Sequence, residues 1–355
     1  MAELSVAVFL LGAAVVASTF LAAVRTFVLP RSARVALTTA VFRVMRVLFG
    51  LRARQSRSYA ERDRAMALYA PVSLLVLALT WVVLIGLGYT AMFWALGVRP
   101  WHRALAVSGS SLFTLGFASD PGVLELLLTF SEAAIGLVLI ALLISYLPTM
   151  YTAFARREAA VTMLEVRAGA PPAAVEAILR YHRIRGLNRL SELWVAWEIW
   201  FADIEESHTS LAALAFFRSP QPEHSWVTAA GAVLDTAALV NAAVDLPHDP
   251  QADLCIRAGY LALRHVADYF RIPYNPEPRF PADPISVTRL EFDDAYDRLA
   301  AGGVPLVPDR ERAWAAFAGW RVNYDTVLLA LAALTMAPEA PWSSDRSLRR
   351  MTNDE

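Results

Sequence analysis

This sequence predicts an all-α membrane protein. It has three transmembrane helices, a short re-entrant helix and loop before the third of them, and an all-helical soluble domain beyond. Three observations carry that reading. The 355 residues are 57% hydrophobic with a mean hydropathy of +0.42, yet 18% are charged, which suits a membrane part followed by a soluble part. Three apolar runs in the first half reach the roughly 20 residues that a bilayer crossing needs. Beyond them strand alternation is nearly absent, while helical periods and stop signals recur. The net charge of −1 provides no field for nucleic acid. Cys255 is the only cysteine, so neither an intramolecular disulfide nor a cysteine-based metal site can form within one chain.

The first run is Ser5 to Leu29, in a span assigned to residues 1–30. It lacks a basic leader and a clean small-residue cleavage site, and reads as a retained span. Residues 31–66 form a basic linker, with ten arginines between Arg25 and Arg64 against Glu61 and Asp63. Such an excess marks the cytoplasmic side. Within the linker, Ala36 to Leu51 places Thr39, Arg43 and Arg46 on one helical stripe with apolar residues around the rest. That pattern suits a helix lying in the membrane interface, either as a cuff near a gate or as an anchor on anionic lipid.

Residues 67–155 hold the second span (Leu68 to Val98), a short segment (Trp101 to Phe113), a loop, and the third span (Val123 to Ala155). The short segment cannot cross about 30 Å of hydrocarbon, so it dips and returns. Backbone that is not helical at membrane depth is tolerated only inside protein or along a water-filled path. A dipping helix, a loop with Thr and Gly, and a full span make up an ion-conducting pore loop. The sparse basic residues Arg99, His102 and Arg103, against Arg156-Arg157, place the N-terminus outside and the C-terminal domain in the cytoplasm.

Residues 101–120 resemble the pore loop of the bacterial two-transmembrane potassium-channel superfamily, whose filter reads T-V-G-Y-G-D. Thr114, Leu115, Gly116 and Phe117 match its Thr, Val, Gly and Tyr, and Ala118 stands at the second Gly. Ser119 replaces the Asp or precedes it as an extra residue, and Asp120-Pro121 resembles the outer acidic residue and Pro. The resemblance implies a selectivity filter at residues 114–118 and a homotetramer whose carbonyls shed water from potassium or another monovalent cation. It implies no cofactor beyond the permeating ion. Ala118 in a left-handed conformation would cost about 1–2 kcal/mol, and Phe117 lacks the bracing hydroxyl, so relaxed selectivity is expected.

Glu132 and Gly136 lie one turn apart on the third span. Glu132 either faces a water-filled cavity and attracts cations, or bonds Ser108, Ser110 or Ser111 behind the filter. Gly136 is either a gating hinge, as the resemblance implies, or a close-packing site. Pro148 is expected to loosen the inner end of the helix.

Residues 156–336 form the helical cytoplasmic domain, and 337–355 a poorly ordered tail. Helices are expected over Arg156–Ala168, Pro172–Arg185, Asn188–Phe217, Ser225–Val244, Gln251–Phe270 and Thr288–Ala301, and from Asp309 to Met336, with a proline-rich loop at Arg271–Pro284. Trp194, Trp197, Trp200 and Phe201 share one apolar side near Glu198, Glu205 and His208. Glu205-x-x-His208 is a candidate metal pair, although carboxylate-bridged sites need two such motifs. The other reading is a core or subunit interface whose carboxylates pair with Arg183, Arg185 or Arg189. No nucleotide fingerprint, nucleophile elbow, zinc-protease motif or phosphate loop is present, so no enzyme is expected. The function expected from the pore-loop resemblance is passive cation conduction in the cell membrane, with lipid and further copies of the chain as partners. The alternative is a membrane-anchored helical signalling or scaffold protein whose loop conducts nothing.

Overall fold

The computed structural model describes residues 2–27, 35–54, 59–120 and 122–346. Leu29, Arg31, Arg34, Arg57, Pro121 and the tail from Ser347, all used in the sequence reading, lie outside the described residues. Among the described residues there are thirteen α-helices and no strand, only a single bridge between Val244 and Leu306. The helices divide between two units. Unit 1 holds residues 1–55 and 68–152; unit 2 holds 56–67 and 153–355.

Unit 1 contains α1 (Ala2–Phe27), α2 (Ala36–Arg54), α4 (Tyr69–Leu96), α5 (Trp101–Leu112) and the first part of α6 (Val123–Ala168). Its core gathers Leu77, Trp81, Ile85, Phe93, Val107, Leu112 and Leu139. Phe27 packs edge-on against Trp81 at 5.0 Å and lies 4.4 Å from Tyr146. The outward faces carry Leu10, Leu11, Leu75, Leu79, Leu127, Phe130, Ile140 and Ile144, all exposed. A water-soluble domain rarely leaves so broad an apolar band bare. α1, α4 and α6 are long and apolar enough to cross a membrane, which is compatible with a membrane-embedded protein.

The 46 residues of α6 run without a break through the division expected near Arg156, and the two units part close by, between Thr152 and Ala153. At 1.5 Å per residue this one helix is about 69 Å long, more than twice the hydrocarbon thickness. Its continuity is explained by Ala153 to Ala160, which is rich in good helix formers, with no glycine between Ala153 and Ala168. Pro148 does not interrupt it. Ser and Thr hydroxyls bond neighbouring carbonyls on both sides, Thr149 to Ser145 at 3.0 Å and Thr152 to Pro148 at 2.8 Å.

Unit 2 adds α3 (Tyr59–Ala67), α7 (Ala174–Arg183), α8 (Leu190–Ser210), α9 (Trp226–Ala243), α10 (Pro250–Phe270), α11 (Arg289–Ala301), α12 (Arg310–Arg321) and α13 (Asp325–Thr335). α9 is long and apolar enough to cross a membrane, but 94% of it is buried, with α7, α10, α12 and α13 packed around it. It is the central core helix of the unit. The tryptophan side of α8 joins this core, with Trp194 and Phe201 fully buried. Local signals hold where the side chains close them. Asp249 accepts from the Gln251 N–H at 3.0 Å, and Thr288 and Glu291 form a reciprocal capping box. Ser225 occupies the N-cap position of α9 without a side-chain capping bond.

The helix expected from Asp309 to Met336 is two helices. The break at residues 322–324 lets Arg321 and Tyr324 converge on Asp235 of α9. Arg321 meets the Asp235 carboxylate at 2.5 and 2.6 Å and Asp325 at 2.7 Å, and the Tyr324 hydroxyl donates to Asp235 at 2.9 Å. Ser286 donates to Asp325 through its hydroxyl at 2.6 Å and its N–H at 2.9 Å. The start of the expected tail is also ordered. Ala340, Ser343 and Ser344 are buried, and the Trp342 carbonyl accepts from Arg321 at 2.5 Å.

Candidate functional site

α5 begins after Pro100 and ends in a loop at residues 113–120. At its start the Arg99 guanidinium stacks 4.4 Å from the Trp94 ring, and the Trp94 and Trp101 rings lie 6.5 Å apart. Arg103 reaches Asp120 at 3.4 Å, joining the beginning of α5 to the end of the loop. Both groups are solvated enough that this pair contributes at most about 1 kcal/mol.

The loop is organised by Ser110. The Thr114 N–H donates to the Ser111 carbonyl at 3.0 Å and the Leu115 N–H to the Ser110 carbonyl at 2.8 Å, a Schellman ending with Thr114 in the left-handed position. Gly116 N–H also reaches the Ser110 carbonyl at 3.4 Å, and Ala118 N–H bonds the Ser110 hydroxyl at 3.0 Å. A planar trans peptide points its C=O opposite to its N–H. The carbonyls of Thr114, Leu115 and Phe117 therefore point away from Ser110. Leu115 is 64% and Phe117 69% exposed in the single chain. The negative end of the α5 dipole lies at the same place.

Left-handed backbone falls at Gly116, the residue whose freedom the sequence offers for it, and at Thr114, where the sequence gives no sign of it. Thr114 (φ 54°) and Gly116 (φ 72°) adopt that conformation, and Ala118 does not. Gly116 does so freely, but a β-branched Thr costs about 1–2 kcal/mol there. The expected strain at Ala118 is thus moved to Thr114, because the Ser110 hydroxyl holds Ala118 in ordinary backbone geometry.

Behind the loop, Glu132 is fully buried with its Oε1 2.6 Å from the Ser108 hydroxyl, which also lies 3.0 Å from the Gly86 carbonyl. One hydroxyl hydrogen cannot serve both oxygens. The Ser108 hydroxyl donates to one of them at a time, and the shorter contact is the one to Glu132. Of the two readings of Glu132, these contacts match the bond to Ser108, which joins α6 to α5. A Cβ at Gly136 would press on the Leu112 carbonyl, which matches the close-packing reading of that glycine.

Glu198, Glu205 and His208 do not come together. Glu198 accepts from the Gln251 amide and Glu205 pairs with His265 at 2.9 Å. Arg189 pairs with Glu192 at 3.0 Å, not with either of these. His208 is buried, with Nδ1 3.0 Å from the Ile204 carbonyl and Nε2 3.4 Å from Arg157, so neither ring nitrogen is open to a metal. No group of three or more candidate metal ligands exists among the described residues. Burial, and then the neighbouring Arg157 charge, hold His208 well below its ordinary value of 6.5. The folded unit therefore keeps this ring neutral, while the unfolded chain takes up a proton below about pH 6.5, so stability present above that pH is lost as pH falls. Between about pH 7.5 and about pH 5 the unfolding temperature should drop more steeply for the wild type than for His208→Gln. Parallel slopes would contradict this assignment.

Comparison with protein-family models, curated proteins and solved structures returned no match. Two residues have roles here that the sequence pattern does not show. Ser110, expected only as a bonding partner for Glu132, organises the loop from one turn before Thr114. Arg157 has the pattern of a charge at a membrane boundary, yet it is fully buried, with partners more than fifty residues away in the chain.

Proposed function

We propose that this chain is one subunit of a passive channel for monovalent cations. In this reading α1, α4 and α6 span the bilayer, α5 dips into it as a pore helix, and four copies place residues Thr114 to Phe117 around a common axis. Cations exchange water for the carbonyls of the loop, as the likeness to potassium channels implies. The N-terminus lies outside and unit 2 in the cytoplasm, following the arginine distribution.

One observation carries the reading. Three loop N–H groups turn inward to Ser110, which directs their partner carbonyls away from it. Carbonyls left without a partner within hydrocarbon are costly, and a desolvated cation on a shared axis would satisfy them. Glu132 and Gly136 hold the pore helix in place without facing the ion path.

Purified protein in liposomes under a potassium gradient tests this directly. Cation flux is expected, and its absence at every voltage and pH would favour the membrane-anchored scaffold. Ser110→Ala removes the hydroxyl that holds Ala118, a loss of about 1 kcal/mol. It should lower the potassium-to-sodium flux ratio severalfold while total flux persists. An unchanged ratio would count against a filter at this loop.

A further inference from the structure

We infer that residues 212–218 of unit 2 form a joint that grips the two chain segments leading into α4 and α6, and so set the conduction state of the loop. The conduction clause rests on the channel reading above; the joint itself does not.

The segment is a 3-10 turn, Ala212–Phe216, followed by Phe217 and Arg218. On one side it receives Arg157 of α6. This side chain is 1% exposed and donates to the Leu214 carbonyl at 2.8 Å, the Phe217 carbonyl at 2.7 Å and Glu158 at 2.9 Å. The Phe154 and Phe217 rings lie 5.9 Å apart beside it. On the other side Arg218 bonds the buried carboxylate of Asp63 in α3, and also donates to the Thr335 and Met336 carbonyls at 2.8 and 3.1 Å. Trp226 fastens the turn to the core through the Ala215 carbonyl at 3.2 Å.

Arg157, fully buried, and Arg218, 12% exposed, meet this one short segment from two sides; both are costly to desolvate, and each is matched by several acceptors. Such a network is rigid when complete and fails as a whole when one member is removed. The two gripped helices also have a particular place in the chain. α3 ends one residue before α4 begins, and α6 is the third span itself, continued without a break. A shift at residues 212–218 would therefore act on the inner ends of both spans that flank the pore loop. Unit 2 needs no other lever on the channel.

Hydrogen exchange on the full-length protein in lipid nanodiscs tests the joint from each side. Arg218→Gln and, separately, the milder Asp63→Asn should each raise amide exchange at least tenfold in α3. Each should also raise it at residues 153–160 of α6, with the unfolding temperature of unit 2 little changed. Faster exchange in α3 alone, or in neither helix, would overturn the joint. In liposomes both variants should change wild-type cation flux at least threefold. Raised exchange on both sides with unaltered flux would overturn the regulatory claim while the channel reading stands. A wild type that conducts nothing would remove the channel reading, and the exchange result would still decide the joint.

Discussion

Gly116→Val is expected to reduce cation flux at least a hundredfold while leaving the protein folded and assembled. Gly116 has φ 72°, and a built Cβ meets nothing within 4 Å, so space is no obstacle. The obstacle is backbone energy. A left-handed residue with a side chain costs about 1–2 kcal/mol, and a β-branched one more. Thr114 already carries that cost two residues earlier. A second strained residue relaxes by rotating the adjacent peptides, which breaks the N–H bond to Ser110 and turns a carbonyl out of the row. A carbonyl ring fails when one oxygen per subunit is misdirected, because the ion then loses several ligands at one level. Gly116→Ala should lie between the wild type and valine. Flux into potassium-loaded liposomes and light scattering of the purified assembly measure both halves of the expectation. Valine flux equal to wild type would contradict it.

The second large effect is on stability. Arg321→Met should destabilise unit 2 by about 3–5 kcal/mol, because it leaves Asp235 and Asp325 buried without their common cation. Arg321 and both carboxylates are buried, out of contact with bulk solvent. For a unit of this size the unfolding temperature should fall by about 10 °C. Arg321→Met combined with Asp235→Asn should cost less than the sum of the two single changes, since the uncompensated charge is removed with its partner. Strict additivity would show that the network is not cooperative. The same network explains the break between α12 and α13, the packing of Ser286, and the order of residues 340–346.

Which parts of this architecture could be read in advance follows from the range of the interactions behind them. Membrane helices were legible because apolar length is a local property. The helix stop after Ala168 was legible because Gly169 stands directly behind it. The loop was legible in part. Gly116 announces unusual backbone, but the choice between Thr114 and Ala118 as the strained residue depends on the Ser110 hydroxyl. Glu132 and Gly136 left two readings open, and only the close approach of α5 selects between them. The continuity of α6 was hidden because Arg156-Arg157 has the composition of a membrane boundary. What holds Arg157 inside is a pair of carbonyls at Leu214 and Phe217, which no local pattern reveals. The polar helix α3 was missed for the same reason, its anchor being Arg218 far along the chain.

A density map of the purified assembly in lipid, fine enough to trace the main chain from Ser110 to Ala118, tests the central claim most directly. The account predicts four copies around one axis, with the oxygens of Thr114, Leu115 and Phe117 facing it and ion density between them. Loops directed toward lipid, or a single copy with no enclosed path, would contradict it.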